Sequence, residues 1–199
     1  MTDPKIDSTL DKANRLFLKG KLRDAIIYYD KILKENPNHI SSLNNKGYAL
    51  SKLKDFDGSM KCYDAALKLD PSDLLILVNK MSALRKKGNF NTAFCLCNKI
   101  LDNNPKYNIA LYHKERILFS LKKFDESIVC CDSILVNYPN NGNVLYDKSC
   151  NLVMLSKIDE GLDTLEKATV QGIEYKIKAR KSSSFVKLMN NKRFQQMIL

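Results

Sequence analysis

The chain has 199 residues, 44% of them hydrophobic and 28% charged, a balance that allows a packed core and excludes wholesale disorder. Lysine and arginine outnumber aspartate and glutamate by 33 to 22, a net charge of +11, which raises affinity for nucleic acid, anionic membranes and acidic proteins without bearing on the fold. The polar start Met1-Thr2-Asp3-Pro4-Lys5 predicts no signal peptide, the lack of any run of ~18 apolar residues predicts no membrane span, and six cysteines that flank no small loops predict reduced thiols in a cytoplasmic protein.

The predicted elements recur every 34 residues, an interval set by Pro37, Pro71, Pro105 and Pro139 and kept without insertion. The first unit, about 6–39, carries Ala13 and Leu16 on one helical stretch. After the turn Lys19-Gly20-Lys21, a second stretch carries Leu22, Ala25, Tyr29 and Leu33. In the second unit, 40–73, Leu43, Gly47 and Leu50 share a helix face. The polar turn Lys52-Leu53-Lys54-Asp55 follows, and Phe56, Ser59, Tyr63, Ala66 and Leu67 share a second face. Pro71 ends that helix, because proline lacks an amide proton and clashes with the turn before it. Ser72 and Asp73 then offer an N-cap to the next helix.

The third unit, 74–107, repeats the pattern with Leu84, Phe90, Ala93, Cys97 and Leu101, and the fourth, 108–141, with Leu118, Phe124, Ser127, Cys131 and Leu135. Small residues such as Ala13, Ala25 and Gly47 fall where two helix backbones must come close. Met81 and Glu115 depart from that rule, and Glu115 sets a carboxylate at such a crossing. A fifth unit, 142–175, is degenerate, with Thr169 in place of leucine and Ile173 in place of proline. Residues 176–199 read as a C-terminal cap. There Ser182-Ser183-Ser184 can N-cap a turn holding Phe185 and Leu188, and a last short helix from Lys192 buries Phe194, Met197 and Ile198.

Leucine, small residue, aromatic and proline in this order at a period of 34 resemble the tetratricopeptide repeat family over roughly residues 6–175. The resemblance is best in Gly47-Tyr48-Ala49-Leu50, Phe56, Tyr63-Asp64-Ala65-Ala66-Leu67 and Pro71. It implies an all-α fold: an α-solenoid, a right-handed superhelix of helix-turn-helix repeats running the length of the chain as one domain, closed by a C-terminal capping helix. The first helix of each repeat would line a concave groove that takes protein ligands, and each hairpin would need its neighbours to complete the core. The family's frequent first-helix tryptophan is missing.

Little in the sequence points to catalysis. His39 and His113 lie two units apart with no acid at motif spacing, so no nucleophile–base arrangement can be built on them. Cys95 and Cys97 are separated by one residue and Cys130 and Cys131 by none. Neither is the spacing of a zinc knuckle or a redox dithiol. Cys97 and Cys131 stand where earlier units have Tyr29 and Tyr63 and read as core fillers. The seven glycines are scattered and form no phosphate loop. The expectation is a protein that is not an enzyme, with no catalytic residue, metal or cofactor.

If the hairpins stack as the resemblance implies, the groove residues are Asn14, Asn45, Tyr48, Asn79, Tyr112, His113, Arg116 and Tyr146, with Leu10, Asp11, Phe17, Asn44, Lys52, Val78, Ser82, Lys86, Phe119, Asp147, Cys150 and Val153 on the same face. Asparagine amides one repeat apart can pair with an extended peptide backbone. The tyrosines give large contact areas, and Arg116 gives a fork for a carboxylate. In chaperone co-factors of this family, a clamp of lysine, arginine and asparagine holds a C-terminal carboxylate. The matching places here hold Leu10, Asn14, Asn45, Leu75 and Asn79, so both asparagines match, every basic place fails, and that ligand is not expected. The primary expectation is a monomeric scaffold that binds a peptide or helix of a protein partner in the groove. The alternative is a basic adaptor for RNA or another polyanion. It rests on charge alone: the turns Lys19-Gly20-Lys21, Lys52, Lys54, Arg85-Lys86-Lys87, Lys122-Lys123 and Lys157, and the tail. Lys12, Lys46, Lys80, Lys114 and Lys148, one per unit, read as lysines whose stems cover apolar surface.

Overall fold

In the computed structural model, residues 4–199 are described; Met1, Thr2 and Asp3 of the polar start lie outside them. The described residues form α-helices joined by short turns. They are α1 (Pro4–Leu18), α2 (Leu22–Glu35), α3 (Ile40–Lys52), α4 (Phe56–Leu69), α5 (Leu74–Lys87), α6 (Phe90–Asn103), α7 (Asn108–Ser120), α8 (Phe124–Leu135), α9 (Gly142–Met154), α10 (Ile158–Gln171), α11 (Ile173–Lys181) and α12 (Lys192–Ile198), with a 3-10 segment at Ser183–Leu188. Ile40, Leu74, Asn108 and Gly142 open successive first helices 34 residues apart, and Leu22, Phe56, Phe90, Phe124 and Ile158 open the second helices at the same interval. The fold is all-α, built of helical hairpins. No described helix is long and apolar enough to cross a membrane.

Local chemistry sets the helix ends. Asp55, Asp73, Asn141 and Asn191 each accept the backbone N–H three residues on and start α4, α5, α9 and α12. Ser72, expected to share the cap of α5, instead donates its hydroxyl to Asp70. His39 caps α3: its Nδ1 accepts Ser42 N–H at 3.2 Å. The turns inside the hairpins share a backbone feature. Gly20, Lys54, Gly88, Lys122 and Ser156, each 34 residues after the last, all have φ between 60° and 90°.

The chain divides into two compact units, Met1–Leu96 and Cys97–Leu199. In the first, Ala13, Ala25 and Tyr29 pack with Leu10, Leu16 and Phe17. Leu43, Tyr63, Ala66, Ile76 and Ala83 form a second cluster. Gly47 is required there: a Cβ on it would lie 2.8 Å from the Tyr63 ring and 3.2 Å from Cys62 Cβ. In the second unit Cys131 packs with Ile134 and Val144, as its place in the repeat predicts, and burial raises its thiol pKa. Cys97 is likewise fully buried, with its thiol donating to the Ala110 carbonyl at 3.2 Å.

The lysine stripe does more than cover apolar surface. Lys46 pairs with Asp30 and Lys80 with Asp64 in the first unit, and Lys148 with Asp132 in the second, each at 2.5 Å. Each pair ties a first helix to the second helix of the hairpin before it. Half exposed, such pairs are worth at most about 1 kcal/mol each, but they recur in register with the repeat. The C-terminal segment folds onto the last hairpin. Ser182 caps the 3-10 segment, and Phe185 and Phe194 stack at 5.4 Å and are fully buried among Cys150, Val153, Leu162 and Leu165. Met197 and Ile198, one turn on from Phe194, pack against this cluster and are partly buried.

Candidate functional site

In the first unit the face of the first helices is organised by a chain of side-chain amides. Asn14 Oδ1 accepts from Tyr29 Oη at 2.8 Å and from Asn45 Nδ2 at 3.0 Å. Asn45 Oδ1 accepts from Asn44 Nδ2 at 3.3 Å, and Asn44 Oδ1 accepts from Asn79 Nδ2 at 2.9 Å. The chain therefore links α1, α3 and α5 and fixes which way each amide points. With its oxygen occupied twice, Asn14 keeps its amide protons to donate. Asn79 keeps its oxygen to accept. Amides locked this way are good hydrogen-bond partners for a peptide backbone, since no rotamer freedom is left to lose.

Beside Asn14 and Asn45 opens a cleft of about 220 Å³, lined also by Phe17, Leu18, Tyr29 and Tyr48. The Phe17 and Tyr48 rings lie 5.5 Å apart, tilted at 45°. Leu18, at 82% exposure, stands on the rim as an apolar side chain left in water. Lys52 Nζ sits 5.4 Å from the Tyr48 ring centre, a favourable seat for a cation over an electron-rich face. One repeat on, Lys86 feels desolvation first and then repulsion from Lys52 and Arg85, and together they lower its pKa. Of the predicted site residues, Asn14, Asn45 and Tyr48 meet in this cleft and Asn79 joins it through Asn44. Sequence reasoning placed Asn44 on this face but did not include Leu18 or the Tyr29 hydroxyl. Tyr29 reads as core, and only its position opposite Asn14 brings its polar end to the site.

The second unit holds the other four. On α7, Tyr112 and His113 rings meet edge to face at 6.3 Å, and the Arg116 guanidinium lies 5.1 Å from the Tyr112 ring centre. Arg116 Nε is 3.6 Å from Asp147 of α9. Beneath them Glu115 is 2% exposed. Its Oε1 accepts from Ser127 Oγ at 3.3 Å. Burial first, then the nearby Asp147 charge, pushes its carboxyl up to about 8, so at neutral pH it is a neutral acid (the state that makes a carboxyl tolerable at a helix crossing). Tyr146 does not join Tyr112 and Arg116. Its ring is flanked by Tyr175 and Phe185, each at 6.1 Å, so the C-terminal segment covers it, together with Cys150 and Val153.

Helical hairpins recurring at a fixed interval, with first helices that carry an amide chain and an aromatic cleft, define the chain as a helical-repeat protein of the α-solenoid class. The repeat is similar to the tetratricopeptide repeat, whose family model matches residues 40–73. Solved structures share the fold. MamA residues 41 to the end from Desulfovibrio magneticus RS-1 superimposes with a TM-score of 0.77 at 16% identity, over 86% of this chain and 97% of that one. A second MamA crystal structure gives 0.71 at 18% identity, over 89% and 95%. YrrB, described as a TPR protein with an unusual peptide-binding site, gives 0.68 at 16% identity, over 87% and 91%. No curated protein sequence matches the chain.

Proposed function

We propose that this protein is a non-catalytic interaction scaffold that holds a peptide segment of a partner protein against the first helices of its repeats, with the cleft at Asn14, Phe17, Asn45 and Tyr48 as the principal contact. The observation that carries this reading is the pairing of that open, partly apolar cleft with amides whose orientation is already fixed. A peptide offers what the cleft lacks: an apolar side chain to fill it and a backbone carbonyl for the Asn14 amide protons. The YrrB likeness adds a structural neighbour described as peptide-binding. In the second unit Tyr112, His113 and Arg116 offer a further polar contact.

The polyanion alternative draws less support. Lys46, Lys80 and Lys148 are already neutralised by aspartates, and Lys87 and Lys123 by Asp57 and Glu126. Selection of random 12-residue displayed peptides on the wild type and on a Phe17→Ala/Tyr48→Ala variant tests the proposal. Peptides enriched on the wild type should bind the variant at least tenfold more weakly, with helical circular dichroism retained. Equal binding by both proteins would remove the cleft from the function.

A further inference from the structure

We propose that the segment bound in the first unit is acidic and anchored by one large apolar residue: the anchor enters the cleft between Phe17 and Tyr48, and flanking carboxylates settle on Lys52 and Lys86. This rests on the peptide reading above and adds to it the chemistry of the peptide.

The size of the cleft comes first. About 220 Å³ is below the ~300–1,000 Å³ typical of sites for whole small molecules, so it suits one side chain. Its walls are two aromatic rings and an exposed leucine, with Asn14 and Asn45 on one side. That lining selects a leucine or an aromatic over a charged side chain, because a charge would be desolvated there without a partner.

Two lysines without an ion-pair partner stand at the helix ends beside the cleft. Lys52 ends α3 and Lys86 stands in the last turn of α5, the same place one repeat apart. Among the described residues neither makes an ion pair. The neighbouring acids are engaged elsewhere, Asp57 with Lys87 and Asp55 with the Gly58 N–H. Lys19 and Lys21 follow Leu18 in the turn between α1 and α2. Lys52 and Lys86 are close enough for each other's charge to be felt, and like charges left together without a counter-charge are relieved by an anionic ligand. These lysines lie at the ends of the helices. The clamp described for chaperone co-factors uses other positions, held here by Leu10 and Leu75.

Three proteins are compared on the same random displayed 12-mers: wild type, Lys52→Glu/Lys86→Glu and Tyr48→Ala; the wild type is also challenged with a 20-nucleotide uridine RNA. The expected result is enrichment on the wild type of peptides with a leucine or aromatic flanked by aspartate or glutamate. The charge-reversed variant should keep the apolar anchor and exchange the flanking acids for lysine or arginine. A synthetic peptide of the enriched type should lose at least tenfold in affinity when its acids become amides, and at least tenfold on Tyr48→Ala. Both lysines are exposed and repel each other, so reversing them should leave the melting temperature unchanged. Apolar anchors enriched without acids would overturn the acidic ligand and leave the cleft reading standing. Binding that ignores Tyr48→Ala would overturn both. Displacement of the peptide by the RNA, with RNA binding lost on charge reversal and kept on Tyr48→Ala, would assign the lysines to nucleic acid instead.

Discussion

Glu115 is the residue whose state sets the most. Its carboxyl is buried at the α7–α8 crossing, takes the Ser127 hydroxyl, and has its pKa pushed up to about 8. In the unfolded chain a glutamate titrates near 4.3. The raised value means the folded state keeps a proton the unfolded state gives up. Stability is therefore fully present below about pH 4, falls as pH rises toward 8 at up to about 1.4 kcal/mol per unit, and levels off beyond. Glu115→Gln keeps a neutral group of the same shape and removes the slope. The wild-type melting temperature should drop steadily from pH 5 to 8, while that of the variant stays level. Equal slopes would assign the pH dependence to another group. The sequence marks Glu115 as misplaced against the repeat, but not its protonation, which depends on burial by the neighbouring helices and then on the Asp147 charge arriving from α9.

At the scale of elements, helix limits were legible because their causes are local. The prolines, the capping aspartates and the apolar spacing all act within one turn of where they stand, and Cys97 and Cys131 read as core from their place in the repeat. What joins one helix to the next was harder to see. The partners of Lys46, Lys80 and Lys148 fall on the same 34-residue period, as Asp30, Asp64 and Asp132, with Asn98 at that place in the unit between, so that signal was present, but it needs the distance between stacked hairpins to be recognised as pairing. The Asn44 bridge has no such signal. The hairpin turn is a clearer case. Gly20 and Gly88 mark a left-handed position in two turns, and Lys54, Lys122 and Ser156 occupy the same position in the others. A residue with a Cβ costs roughly 1–2 kcal/mol in that region and glycine almost nothing, though glycine loses more freedom on folding. Lys122→Gly should therefore stabilise the protein by about 0.5–1 kcal/mol, read as a rise in the denaturant midpoint at constant slope. A fall would mean the lysine side chain contributes more than its backbone costs.

For the molecule, the gapless recurrence of these turns limits how the gene can change in length. Lys54 and Gly88 are the same point in consecutive hairpins, so excising residues 55–88 joins Lys54 to Asn89 and makes α3 and α6 a hairpin with its turn and faces intact. Losing one codon fewer or more leaves that turn one residue too long or too short, so the left-handed position no longer falls where the two helices reverse. The 34-codon excision should give a shorter protein that melts cooperatively at a lower temperature, having lost one set of neighbour contacts. Excisions of 33 or 35 codons should give no cooperative melt. Inheritance can then lengthen or shorten this coding sequence in whole repeats, as a tape that splices only at its own marks, while changes of a few codons are confined to the loops between hairpins and to the tail.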